Sequence, residues 1–144
     1  MYQKREVILV TGGSRGIGRT IVENLARKYY NVVLNYNNSE ENAKQIQKLL
    51  KEENIDIDIF KADVSKREEV KKLINFVINN YGKIDVLINN AGIDQVKLFT
   101  DITDEDWDIM MNTNLKSVFY TTQETVKYMI KNKQGCIINI SSIW

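Results

Sequence analysis

The residues best suited to chemistry form one run near the N-terminus, Thr11-Gly12-Gly13-Ser14-Arg15-Gly16-Ile17-Gly18. Glycines let a chain turn tightly and bring its backbone against a ligand. A helix opening on such a turn presents unpaired amides and a positive dipole end to an anion. The spacing here is G-x-x-x-G-x-G, distinct from the commoner G-x-G-x-x-G of pyrophosphate-binding turns. With an apolar strand before it and a helical pattern after it, the run reads as a phosphate cradle; alone it would be an ordinary strand-to-helix turn. Asn89-Asn90-Ala91-Gly92 closes a second apolar run and by itself is only an Asn-Gly turn. Asp63-Val64, Asn114 and Ser141-Ser142 complete the polar candidates.

What is missing narrows the chemistry. The 144 residues contain no histidine, which removes His-based acid–base catalysis and typical zinc sites, and no metal centre is expected. The single cysteine, Cys136, rules out an internal disulfide and opens the apolar run CIINI, where a buried strand cysteine is expected. Twenty Lys and Arg against 19 Asp and Glu give a net charge of +1, so the balance supports neither nucleic-acid nor anionic-membrane binding. No apolar run is long enough to span a bilayer, and the N-terminus has no signal-peptide pattern, so a cytoplasmic protein is expected.

The elements that must position these residues alternate regularly. Glu6–Thr11, Asn31–Tyr36, Ile55–Lys61, Ile84–Asn89 and Cys136–Ile140 read as strands. Helical spacing of Ile17, Ile21, Leu25 and Tyr29 predicts a helix over 17–30. Ser39 is placed to cap a helix bearing Ala43, Ile46, Leu49 and Leu50. Ser65 with Glu68 suggests a capping box for a helix over 66–81, ended by Gly82. Thr103 with Asp106 predicts another, for a helix reaching Met129 with Trp107, Met110, Met111, Leu115, Val118 and Phe119 on its apolar face. Five strands and four helices in alternation predict an α/β fold, a three-layer Rossmann-type parallel sheet of order 3-2-1-4-5 in one domain over 1–144. Asn89-Asn90-Ala91-Gly92 then falls at the switch point, beside the glycine turn.

TGGSRGIG, Asp63-Val64, NNAG, Asn114 and INISS occur in an order and spacing that resembles the short-chain dehydrogenase/reductase family, across essentially the whole chain. Within it the pattern is most similar to bacterial 3-oxoacyl-[acyl-carrier-protein] reductases and related sugar or alcohol dehydrogenases. The resemblance implies an oxidoreductase moving a hydride between NADP(H) and a ketone or secondary alcohol. It implies a small-molecule carbonyl substrate, an acyl-carrier-protein-linked one among the candidates, and a homo-oligomer. Gly12, Ser14, Arg15, Gly16, Ile17 and Gly18 would hold the pyrophosphate and adenosine ribose, and Asp63 and Val64 the adenine. Asn90, Ala91 and Gly92 would lie along the central part of the cofactor. NAD sites place a carboxylate roughly 20 residues beyond the glycines, whereas NADP sites need an Arg. Leu34-Asn35-Tyr36-Asn37-Asn38 has no acid, and Arg15 can reach the same region, so Asn37 and Arg15 favour NADP, with NAD as the alternative.

The resemblance also implies a catalytic Asn, Ser, Tyr and Lys. Asn114 and Ser142 match the first two. The Tyr-x-x-x-Lys pair is expected about a dozen residues after Ser142, and the 144 residues do not contain it; Tyr36, Tyr81, Tyr120 and Tyr128 all lack Lys four residues on. The sheet is thus expected to be truncated after the fifth strand, without the C-terminal catalytic and substrate part. The alternatives are a non-enzymatic dinucleotide-binding module and an inactive fragment of a split gene. General acid–base catalysis is worth roughly 10²–10⁴-fold. The 144-residue chain alone is therefore expected to show no turnover with NADPH and a ketone, read as loss of reduced-nicotinamide absorbance; steady oxidation by the purified, mass-verified chain would refute this.

Overall fold

The structure, a computed structural model, describes residues 5–142. Val7–Val10 (β1), Asn31–Tyr36 (β2), Asp58–Lys61 (β3), Val86–Asn89 (β4) and Cys136–Asn139 (β5) form one sheet of order β3-β2-β1-β4-β5. All four pairings are parallel, with Leu9 opposite Val33 and Leu87 at its centre. Continuous apolar strands of this kind suit a sheet covered on both faces.

Side chains alternate across a strand, and β1 divides its residues accordingly. Val7 and Leu9 join Val70, Leu73, Ile74 and Val77 of Arg67–Tyr81 (α3) and Met129 of Ser117–Asn132 (α5). Ile8 and Val10 join Val22 and Ala26 of Gly16–Arg27 (α1) and Ala43, Ile46 and Leu50 of Glu40–Glu52 (α2). The result is the expected three layers. Gly82 closes α3 in the left-handed conformation at φ 74°, and Thr103 and Asp106 form the expected reciprocal capping box.

Several local expectations are corrected. Ser39 makes no side-chain cap to α2. Ser65 does not cap α3: its hydroxyl donates to Asp63 Oδ1 at 2.6 Å, and Lys66 takes the cap position. On α1 the buried residues are Gly18, Val22 and Ala26; Ile17 faces solvent, and the helix ends at Arg27, leaving Tyr29 exposed beyond it. The sheet and α1 meet so closely that a Cβ on Gly13 would lie 3.0 Å from Val22 Cγ2, which selects small side chains for that face. On α2, Leu49 is exposed. Cys136 is exposed, because β5 pairs only with β4 in the described sheet and has no neighbour on its other flank.

The long helix departs most. Asp104–Met111 (α4) and α5 are joined by a single π turn over Asn112–Lys116, preceded by a 3₁₀ turn at Phe99–Asp101. Its expected apolar face is largely outward: Trp107 is 59% exposed, Leu115 60% and Phe119 53%. The buried face carries Ser117, Thr121, Glu124, Thr125 and Met129. Thr121 donates to Asn89 Oδ1 at 2.6 Å, so a hydroxyl-rich helix face meets a polar strand end.

Asp85 fastens the entry to β4. Its Oδ2 accepts from the Val7 amide at 2.7 Å and pairs with Lys83 Nζ at 2.7 Å, and its own carbonyl accepts from the Cys136 amide. Removing the acceptor leaves a buried amide unpaired, at a cost of about 1–3 kcal/mol. Asp85→Ala is expected to lower unfolding free energy by about 2 kcal/mol, measured by urea titration; a change below about 0.5 kcal/mol would show that the bond is dispensable.

Candidate functional site

A cleft of about 680 Å³ opens at the C-terminal edge of the sheet. One wall is the turn between β1 and α1. Gly12 sits at φ 62° and Gly16 at φ 54°, where β-carbon sterics favour glycine. A Cβ on Gly12 would come within 2.7 Å of Ala91 Cα, and one on Gly18 within 2.3 Å of the Gly12 carbonyl and 2.4 Å of Asn90 Nδ2. The glycines therefore serve two ends, a left-handed turn and a backbone-to-backbone approach. No acid occupies the first turn of α1, so its positive end meets the cleft without a competing carboxylate.

The loop after β4 forms the second wall and is laced to the first. Thr11 Oγ1 accepts from the Asn90 amide at 3.0 Å and the Ala91 amide at 3.1 Å. The Asn90 side chain donates to the Thr11 carbonyl at 3.2 Å and the Gly12 carbonyl at 3.0 Å. Farther along, Asn114 in the π turn grips the chain just past Gly92: Ile93 N–H donates to its Oδ1 at 2.8 Å, and its Nδ2 donates to the Ile93 carbonyl at 2.9 Å. Asp106 draws in the same connection by accepting from Gln95, Lys97 and Thr103. The Lys97 ammonium above all, with these other donors, holds its carboxyl well below the usual carboxylate range.

The third wall is Ala62-Asp63-Val64-Ser65 at the end of β3. Burial pushes the Asp63 carboxyl up. The Ser65 hydroxyl and amide, at 2.6 and 3.0 Å, and the Lys66 ammonium at 3.4 Å outweigh that and hold it below its ordinary value. A depressed value favours the folded state at neutral pH, a contribution lost as pH falls through it. Oδ1 is thus engaged within the turn, and Oδ2 is held less tightly, by Lys66 alone.

Of the residues singled out in the sequence, Gly12, Ser14, Arg15, Ile17, Gly18, Asn37, Asp63, Val64, Asn90, Ala91 and Gly92 all line this cleft. Gly16 does not; its part is the left-handed turn. Asn114 and Ser142 also lie outside the lining, Asn114 behind the loop that it holds and Ser142 beyond β5. Asn35, Tyr36, Asn38, Ser39, Ile109, Asn112 and Thr113 line the cleft without having been singled out. Four of them, Asn35, Tyr36, Asn38 and Ser39, continue the strand end around Asn37, a position the sequence did flag. Ile109 comes from the last turn of α4, and Asn112 and Thr113 from the π turn that follows it, which periodicity does not register. Among the described residues no cluster of metal-ligating side chains occurs, and no helix is long and apolar enough to cross a membrane.

Comparison with known proteins follows the same lines. The chain is 42% identical over 135 residues to the 3-oxoacyl-[acyl-carrier-protein] reductase of Staphylococcus aureus, covering 94% of the chain and 55% of that protein. It is 38% identical over 143 residues to the reductase of that name from Thermotoga maritima, covering 99% of the chain and 58% of that protein. The chain spans little more than half the length of these curated relatives. Among solved structures, a metagenomic short-chain oxidoreductase in complex with NADP superposes with a TM-score of 0.90 at 29% identity, over 96% of this chain and 63% of that one. A Serratia marcescens short-chain dehydrogenase/reductase gives 0.87 at 29%, over 96% and 56%. The family model described as short chain dehydrogenase matches residues 6–144, and the chain belongs to that family.

Proposed function

We propose that this chain forms the cofactor-binding part of an NADP(H)-dependent oxidoreductase that interconverts a ketone and a secondary alcohol, with a 3-oxoacyl thioester as the substrate class. The observation that carries the reading is the cradle where the two loops meet. A Cβ at Gly18 would strike the Gly12 carbonyl and the Asn90 side chain that shape it, and the N-terminus of α1 opens toward it beside a wall that ends in Asp63. Gly12, Ser14, Arg15, Ile17 and Gly18 hold the pyrophosphate and adjoining ribose, and Asp63 and Val64 flank the adenine. Asn90, Ala91 and Gly92 line the path toward the reacting ring. When bound, the cofactor supplies the hydride.

The chain's own residues select the phosphorylated cofactor. The end of β2 reads Asn35-Tyr36-Asn37-Asn38-Ser39 and offers no carboxylate to a ribose 2′-hydroxyl. The nearest acid, Glu40, is engaged by Lys44 at 2.7 Å. Arg15 faces the same cleft with a planar guanidinium suited to a phosphate. Asn114 fixes the course of the loop at Ile93, and Ser142 polarises the substrate carbonyl oxygen. The relatives named as 3-oxoacyl-[acyl-carrier-protein] reductases support the substrate class.

Two fluorescence titrations test the reading. Wild type is expected to bind NADPH about tenfold or more tightly than NADH, a difference of about 1.4 kcal/mol or more. Arg15→Ala is expected to erase most of that preference by weakening NADPH alone; equal affinities in the wild type would overturn the choice of cofactor. Gly18→Ala is expected to abolish detectable binding of both dinucleotides, since the new methyl must displace Gly12 or Asn90. Undiminished binding by that variant would move the site elsewhere.

A further inference from the structure

We infer that Asn35 is a positioning residue that locks two walls of the cleft together and thereby sets dinucleotide affinity. The inference rests on the cofactor reading above and deepens it. Asn35 is 1% exposed and stands one residue before the end of β2, between the glycine turn and the end of β3. Its side-chain amide divides its bonds by direction. Nδ2 donates to the carbonyls of Ala62 at 3.0 Å, Phe60 at 3.3 Å and Tyr36 at 3.3 Å. Oδ1 accepts, at a long 3.4 Å, from the Gly12 amide. The main-chain carbonyl of Asn35 accepts from the Gly13 amide at 2.9 Å. One residue thus meets consecutive amides of the glycine turn on one side and the carbonyls leading into Asp63-Val64 on the other.

The chemistry of the position is restrictive. The carbonyls of Phe60 and Ala62 require a donor, and the Gly12 amide requires an acceptor. A carboxamide satisfies both within one planar group. An aspartate has the same shape but turns an oxygen toward carbonyl oxygens. An alanine removes the side-chain partner from both sides in a buried place, where lost hydrogen bonds are costly. In this arrangement the spacing between the phosphate-binding turn and the adenine wall is fixed before ligand arrives, so less ordering remains to be done on binding.

The test compares wild type, Asn35→Asp and Leu73→Ala. Leu73 lies fully buried on the α3 face of the sheet, away from the cleft lining, and its variant controls for lost stability alone. Asn35→Asp is expected to speed amide exchange at Gly13 and Ala62 about tenfold while leaving Leu9 and Val10 unchanged, and to raise the NADPH dissociation constant about tenfold. Leu73→Ala is expected to lower the melting temperature and keep the dissociation constant within about twofold of wild type. If Asn35→Asp does not fold, Asn35→Ser undergoes the same measurements with the same expected pattern. Unchanged exchange at Gly13 and Ala62 overturns the inference. So does weakening of NADPH by Leu73→Ala to the same extent. A wild type that binds no NADPH sinks the cofactor reading instead, and the exchange pattern then decides the role of Asn35 by itself.

Discussion

The close passage of the first β–α turn against the loop after β4 is the constraint on which the rest of the site depends. Position 18 has room for no side chain, because the Gly12 carbonyl and the Asn90 amide group occupy the space. Two main chains meeting this closely must satisfy each other's polar groups. Thr11 and Asn90 do so reciprocally, the hydroxyl accepting from two amides and the carboxamide donating to two carbonyls. The strand order makes the meeting unavoidable: β4 lies beside β1, so the two loops leave the same edge of the sheet side by side. Sheet order, glycine spacing and the cleft are one arrangement seen at three scales.

How much of this could be read in advance follows from the range of each interaction. The strands were legible because β1, β2 and β4 are short β-branched runs, buried on both faces and bounded by turn residues. Gly82 and the Thr103–Asp106 box were legible because a cap is a local contact. Ser65 was misread because its hydroxyl has a nearer acceptor in Asp63, two residues back, and that bond wins over capping α3. The site was legible where composition is forced, at Gly12 and Gly18, and illegible where a residue acts through chain neighbours distant in sequence. Asn35 is the example. Its partners beyond the adjacent Tyr36 stand 23, 25 and 27 residues away, and nothing in the run Leu34-Asn35-Tyr36 distinguishes it from Asn37.

The long helix shows where periodicity fails for a physical reason. Ser117, Thr121 and Thr125 form a buried stripe, although by composition they read as the solvent side. The Thr121 hydroxyl lies within reach of both the Ser117 carbonyl of its own helix at 2.9 Å and Asn89 Oδ1 of β4 at 2.6 Å, so its polarity is met in place and its small size allows a close approach to β4. Large residues such as Phe119 and Trp107 are left outward. Phe119 is not bare, since the Arg67 guanidinium lies 5.4 Å from its ring centre and 4.3 Å from that of Tyr120, while Arg67 also pairs with Glu124. That cluster ties α3 to α5 from the solvent side, where the apolar stripe was expected to face inward.

The π turn explains why the helix is irregular where it is. A regular helix would carry residues 112–116 past the loop at a fixed angle, and the wider turn changes the facing of Asn114. Its carboxamide then matches the Ile93 amide and carbonyl together, as a neighbouring strand would. The connection after Gly92 has no strand of its own to pair with, and Asn114 takes that place. Such a bond is directional and resists sliding, so Asn114 anchors the loop just past Gly92. The loop after β4 is therefore set by two carboxamides, Asn90 against Gly12 and Asn114 against Ile93. Where that loop meets the glycine turn, the cleft owes its shape to neutral hydrogen bonds that do not titrate near neutrality, and the ion pairs Lys97–Asp106 and Lys66–Asp63 act farther out, on the following connection and the third wall.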